Sequence, residues 1–237
     1  MDRNAAKAEL DAAIAEARRV FDLPRPATTG VCKGCCMDPE IEADFLNHGA
    51  RDLPDAYLRD WFFAAFADDL GYAQMGWLMP RIMESLADGK ELPIAGEEVT
   101  LSRLPVAGFP ERWPADAVAA VERFCFAFLE YRLASGTSVL ENILCMFSLG
   151  GMPVGPFLER LDALTDGELA SLLHASWIAP YPKPYISLSA FWESPDRELW
   201  WAWQTSDALL DRMTRAGIEG DERAAAMSDA IHCIHPR

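Results

Sequence analysis

The stretch 113–149 limits the folds open to this chain more than any other part of it. Trp113-Pro114-Ala115-Asp116 opens a helical pattern in which Val118, Val121, Cys125 and Phe128 recur at helical spacing. Ala117, Ala120, Phe124, Ala127 and Tyr131 fill the adjacent face, so Asp116, Glu122, Arg123 and Glu130 leave only a narrow polar seam. Ser135-Gly136 stops this helix, Thr137 restarts the pattern, and over 139–149 Glu141 is the sole charge. A helix that is apolar almost all round must be covered on most sides. Two in succession need further helices around them. The pattern therefore predicts an all-α fold with this pair as its hub, water being excluded from nearly the whole circumference of both.

The rest of the chain reads as helices with clear punctuation. Residues 5–20 carry Leu10, Ile14 and Ala17 on one stripe, with Arg18 and Arg19 in the last turn, where the helix dipole favours positive charge. Pro24 and Pro26 hold an extended segment. Asp38-Pro39 supplies a cap and a first-position proline for a helix reaching about Asn47. Leu53-Pro54-Asp55 begins an aromatic helix containing Tyr57, Trp61, Phe62, Phe63 and Phe66 and ending near Gly71. Residues 72–87 follow, where Pro80 must either open a new helix or kink an existing one, a turn and restart being the favoured reading.

Over 92–114, Pro93, Gly96, Pro105, Gly108 and Pro110 break any long element, although Val99, Leu101 and Leu104 can form one short strand. This long irregular loop is the one candidate internal boundary, and it is read as covering a single core. Helices at 154–164, 166–178 (capped by Asp166), 196–215 and 219–231 complete the pattern. The expectation is a single helical domain over 1–237. Its architecture is an irregular multi-helix stack or helical-repeat-like array of about eight or nine helices.

Charge narrows the partners. The formal net charge is −16 and the pI about 4.6, and no basic run offsets it. Such a surface repels phosphate backbones and anionic lipid, which excludes nucleic acid and membrane and leaves a basic protein or a cationic ligand. No signal-peptide core and no apolar run of about 20 residues is present, so a cytoplasmic protein with reduced thiols is expected.

Several short elements recur together: Phe21 with Pro24 and Pro26, the cysteines Cys32, Cys35 and Cys36, Met79-Pro80-Arg81-Ile82, Trp113-Pro114, and Phe191-Trp192. In this combination the chain resembles a family of bacterial helical proteins marked by an N-terminal cysteine cluster and a Leu-Pro-Arg-Ile-like turn. Methionine stands here where that family's turn has leucine. The resemblance implies an all-α fold and carries no activity with it.

Cys32-Lys33-Gly34-Cys35-Cys36 is the stretch best equipped for chemistry. Cys32 and Cys35 have the spacing at which two thiolates share a tetrahedral zinc, with Gly34 allowing the tight knuckle. Cys36 and His48 are the nearest further ligands, and His232-Cys233-Ile234-His235 is a more distant source. Zinc is thus the cofactor this pattern allows. The alternatives are plain reduced thiols, or a redox pair with Lys33 lowering a thiol pKa. His174 is a lone histidine, and Asp68-Asp69 and Glu97-Glu98 read as solvated pairs before they read as acid–base couples. Gly150-Gly151-Met152-Pro153-Val154-Gly155 reads as an interhelical turn, because it lacks the lysine of a phosphate cradle.

Phe191-Trp192 and Trp200-Trp201-Ala202-Trp203 concentrate aromatic surface. Their plain role is core, with Trp203 sharing a face with residues 199, 206 and 210, while Trp200 and Trp201 point about 100° apart. The sharper role makes Trp192, Trp200 and Trp201 the lining of a pocket for an apolar or cationic ligand. Three functions follow in order: a non-enzymatic interaction or scaffold protein with an acidic surface, a small-ligand-binding protein, and a thiol- or zinc-dependent enzyme centred on the cysteines. No catalytic constellation can be assembled from the residues, so the balance leans away from an enzyme.

Overall fold

Asp2 caps the first helix by accepting from the Asn4 N–H at 2.9 Å, and Ala6, Leu10, Ala13, Ile14 and Ala17 then fall on one buried stripe. This local logic repeats along the computed structural model, which describes residues 2–33, 36–136, 139–177, 186 and 188–234. Every regular element among them is helical. There are eleven α-helices of eight residues or more, one single-turn α-helix, two short 3-10 segments and two isolated β-bridges. The expected eight or nine helices were slightly too few.

The chain divides into two compact units, Met1–Tyr131 with Leu149–Met152, and Arg132–Ser148 with Pro153–Arg237. Residues 92–114 lie wholly inside the first, and the division falls further along the chain.

In the first unit the helices are α1 (Arg3–Val20), α2 (Pro39–Asn47), α3 (Asp55–Phe63), α4 (Tyr72–Ala87), α5 (Arg103–Val106) and most of α6 (Ala115–Ala134). α2 starts as its sequence demands, with Asp38 accepting from the Glu40 N–H at 3.1 Å and proline in the first turn. α3 is shorter than expected, ending at Phe63 and not near Gly71. The break expected at Pro80 is absent, since α4 runs through it with ten buried residues, Pro80 among them. Its position four residues before, Gly76, has no Cβ, and Leu23 and Tyr72 pack within 2.9 and 3.1 Å of where one would stand.

Val99, Leu101 and Leu104, which could have formed a short strand, instead lie along a 3-10 turn over Glu97–Val99 and the single turn of α5. Residues 92–114 nevertheless bury Leu92, Leu101, Leu104, Phe109 and Trp113. Trp113 sits edge-on to Tyr72, Phe109 and Phe21 at 4.9, 5.2 and 6.0 Å between ring centroids. Its indole N–H donates to the Ala107 carbonyl at 3.1 Å, so the irregular segment is pinned by its own aromatic residue.

The second unit holds α7 (Leu140–Leu149, except its last residue), α8 (Gly155–Asp162), α9 (Asp166–Trp177), α10 (Asp196–Gln204), α11 (Asp207–Ile218) and α12 (Glu222–Ile234). α12 packs on α11 and α9. Thr165, and not Asp166, caps α9. Its hydroxyl accepts from the Glu168 N–H at 3.3 Å, and Glu168 accepts from the Thr165 N–H at 3.1 Å, a reciprocal capping box. The helix expected over 196–215 is two, because Ser206 accepts from the Leu209 N–H at 3.1 Å and starts α11 afresh.

The supposed hub requires two corrections. α6 belongs chiefly to the first unit and α7 to the second. α7 has no exposed residue but is only half-buried along Glu141, Asn142, Ser148 and Leu149, and α6 has a wetted flank of Asp116, Ala119, Glu122, Arg123 and Phe126. No helix among the described residues is long and apolar enough to cross a membrane.

Candidate functional site

Residues 29–33, which lead into the cysteine stretch, are held by backbone and side-chain contacts on both sides. Gly30 has φ of 72°, and an added Cβ would meet the Leu70 side chain at 2.8 Å, so only glycine fits. Beyond it the chain runs beside 65–67: Cys32 N–H donates to Ala65 at 2.7 Å, Ala67 N–H donates to Gly30 at 2.9 Å, and Val31 bridges Phe66. Glu42 of α2 secures the other side. One oxygen accepts from the Thr29 N–H and hydroxyl at 2.9 and 2.8 Å, and the second faces Lys33 at 3.7 Å. Trp61 donates its indole N–H to the Thr29 carbonyl at 2.9 Å.

Of the residues proposed for zinc, Cys32 is half-buried, Cys36 is exposed, and Cys35 lies outside the described residues. His48 sits at the end of α2 with its ring 5.6 Å from Tyr57. His232 and Cys233 are in the last turn of α12 in the second unit, and His235 is outside the described residues. Among the described residues no three His, Cys, Asp or Glu side chains are grouped as a metal site needs.

The residue that organises this region was not singled out from the sequence. Arg103, on the single turn of α5, is 7% exposed, with its guanidinium 4.2 Å from the Trp61 ring centroid and 5.7 Å from that of Phe62. One terminal nitrogen donates to the carbonyls of Phe62, at 2.9 Å, and Ala64. These are carbonyls at the end of α3, where a cation meets the negative end of the helix dipole as well as two aromatic faces. Burial pulls the Arg103 pKa down to about 10, which still leaves it charged near neutrality. Its other terminal nitrogen, Nη1, is buried without a hydrogen-bond partner.

With 62–66 fixed from behind by Arg103 and alongside by the Val31 bridge, two phenylalanines face solvent. Phe63 is 76% exposed and Phe66 52%. Asp60, Asp68 and Asp69 are exposed in the same stretch, and Asp69 accepts from the Thr28 hydroxyl at 3.1 Å. Large apolar side chains are thus presented in a stretch that also carries carboxylates, on a backbone bonded to Arg103 and to Gly30 and Cys32. The pair Asp68-Asp69 belongs to this rim.

The tryptophans are arranged differently from a pocket lining. Trp200 is fully buried, with Trp203 stacked on it at 5.2 Å and Trp192 at 6.3 Å, while Trp201 is 37% exposed. Trp192 and Trp203 donate to Glu141 at 3.3 Å and Asp162 at 2.9 Å. Trp200, and not Trp203, is the buried centre of α10, and Leu199, expected to share the inner face, is 44% exposed. A column of this kind uses its faces on itself. Elsewhere, His174 is half-buried on α9, and Cys125 is fully buried, where burial and then the Glu122 charge push its thiol pKa far up and keep it neutral.

No family model matches the chain, and neither a curated protein nor a solved structure matches it.

Proposed function

We propose that the chain is a non-enzymatic interaction protein whose acidic surface receives a basic protein segment, with Phe63 and Phe66 as apolar anchors. The observation that carries this reading is their exposure, 76% and 52%, on a segment whose carbonyls are hydrogen-bonded by Arg103 and which also carries exposed carboxylates. Binding energy concentrates in a few buried aromatic anchors, while surrounding charge sets on-rate and partner choice. A backbone already bonded to the rest of the fold lowers the ordering cost of binding. A net charge of −16 complements a basic partner and repels nucleic acid. The second reading, an aromatic pocket, has less support because Trp192, Trp200 and Trp203 stack on one another. The thiols are read as reduced, in a cytoplasmic setting, without zinc.

The test is parallel affinity capture on immobilised wild-type protein and on a Phe63→Ser/Phe66→Ser variant of unchanged helical content. A basic protein retained by the wild type, released by salt and not retained by the variant is the expected result. Equal retention by both counts against the anchors.

A further inference from the structure

Trp200 and Gln204 stand one turn apart on α10, and both are fully buried. Among the described residues, the Trp200 indole N–H and both polar atoms of the Gln204 amide have no hydrogen-bond partner. The adjoining rings differ in this respect. Trp192 and Trp203, which stack on Trp200, donate their own indole N–H groups to Glu141 and Asp162. The hydroxyl next to Gln204 in sequence, that of Thr205, is spent on the Trp201 carbonyl at 2.9 Å. A helical side chain leans over the turn before it, so the Gln204 amide lies back toward Trp200. Buried polar groups are costly when unpaired, and in native proteins they are satisfied by protein or by ordered water.

We propose that Trp200 and Gln204 hold ordered internal water inside the second unit. Water accepts from the Trp200 N–H and donates to Gln204 Oε1, and Gln204 Nε2 donates to water in turn. Two donors and one acceptor supply the contacts that keep an internal water in place. The burial selects water over anything larger, because both side chains are wholly covered and a water needs room for little more than itself. α10 is thereby tied to its surroundings through bound solvent as well as through the tryptophan stack, and water, not a larger guest, completes the column.

A high-resolution crystal structure of the full chain, with urea unfolding of a Gln204→Met variant, tests this. The crystal is expected to show water about 2.7–3.2 Å from Trp200 Nε1 and from the Gln204 amide. Methionine keeps the length of the side chain and removes the amide, so the sign of its effect is informative. If the amide is bonded to internal water, its loss is expected to lower the folding equilibrium constant about fivefold. If the amide has no partner, its removal leaves that constant unchanged or raises it. That second result would overturn the proposal. So would a protein group bonded to Trp200 Nε1 or to the amide in place of water, or a molecule larger than water at the two side chains.

Discussion

Arg103 joins the fold to the candidate site through one side chain. It satisfies carbonyls at the end of α3, lies against Trp61 and Phe62, and thereby sets the path of the segment that exposes Phe63 and Phe66. Arg103→Met keeps much of the volume but leaves those carbonyls without their donor, an expected loss of about 2–3 kcal/mol in urea unfolding. Arg103→Lys keeps the charge but lacks the planar fork, so it is expected to recover little of that loss. Wild-type stability in the methionine variant would mean that the segment is held by other contacts.

Asp55 offers a pH-dependent counterpart at the same scale. Burial works to raise its pKa, but the hydrogen bond from Lys90 and the charges of Arg81, Lys90 and Arg59 outweigh it and hold the carboxyl below its ordinary value. A depressed carboxylate adds stability that is complete above the unfolded value, about 4, and disappears as pH falls through the folded one. Asp55→Asn is therefore expected to be less stable than wild type by about 1 kcal/mol near neutrality, after allowance for solvent screening. The two unfolding curves should converge as the solution is acidified below about pH 4. A gap that stays constant to low pH would show that the charge is not its source.

Among the elements, closeness of packing decides where sequence signals hold and where they fail. α1 is legible from its apolar stripe and basic last turn, and α2 from its Asp38-Pro39 start. Pro80 was read as a break because proline costs a helix interior about 3 kcal/mol. Burial across α4 outweighs that cost. Ser206 was a cap signal present in the sequence and overlooked beside the aromatic run of 200–203. Phe126, 39% exposed on α6, shows why apolar residues all round do not guarantee cover: apolar side chains also occupy surfaces. Arg103 was hidden because a cation in a proline- and glycine-rich stretch looks solvated until its aromatic neighbours, distant in sequence, are brought to it.

Gly217 carries the prediction at this level. A Cβ there would stand 2.8 Å from the Ala225 Cα, a backbone atom of α12 that cannot turn aside. Gly217→Ala is expected to lower stability by about 1–3 kcal/mol despite alanine's better helix propensity, read as a fall in Tm. A rise in Tm would mean that α11 and α12 are less closely packed than this.

For the molecule as a whole, charge and composition are legible without any structure, and the site is not. A formal −16 is what supports the proposal of a basic partner, whereas which apolar groups reach the surface depends on the backbone path at 62–66. Neutralising Asp60, Asp68 and Asp69 to asparagine is expected to slow association and flatten its salt dependence, with a smaller effect on dissociation, as for rim charges in general. Removing the phenylalanines is expected to act the other way, mainly on dissociation.

The most direct measurement is therefore the binding kinetics of the captured basic partner on wild type and on Phe63→Ser/Phe66→Ser, each at low and high salt. The account predicts an affinity loss of about 2 kcal/mol or more in the variant, carried by faster dissociation, with the salt dependence of association retained. Unchanged dissociation in the variant would contradict it, because the partner would then be held somewhere other than the two exposed phenylalanines.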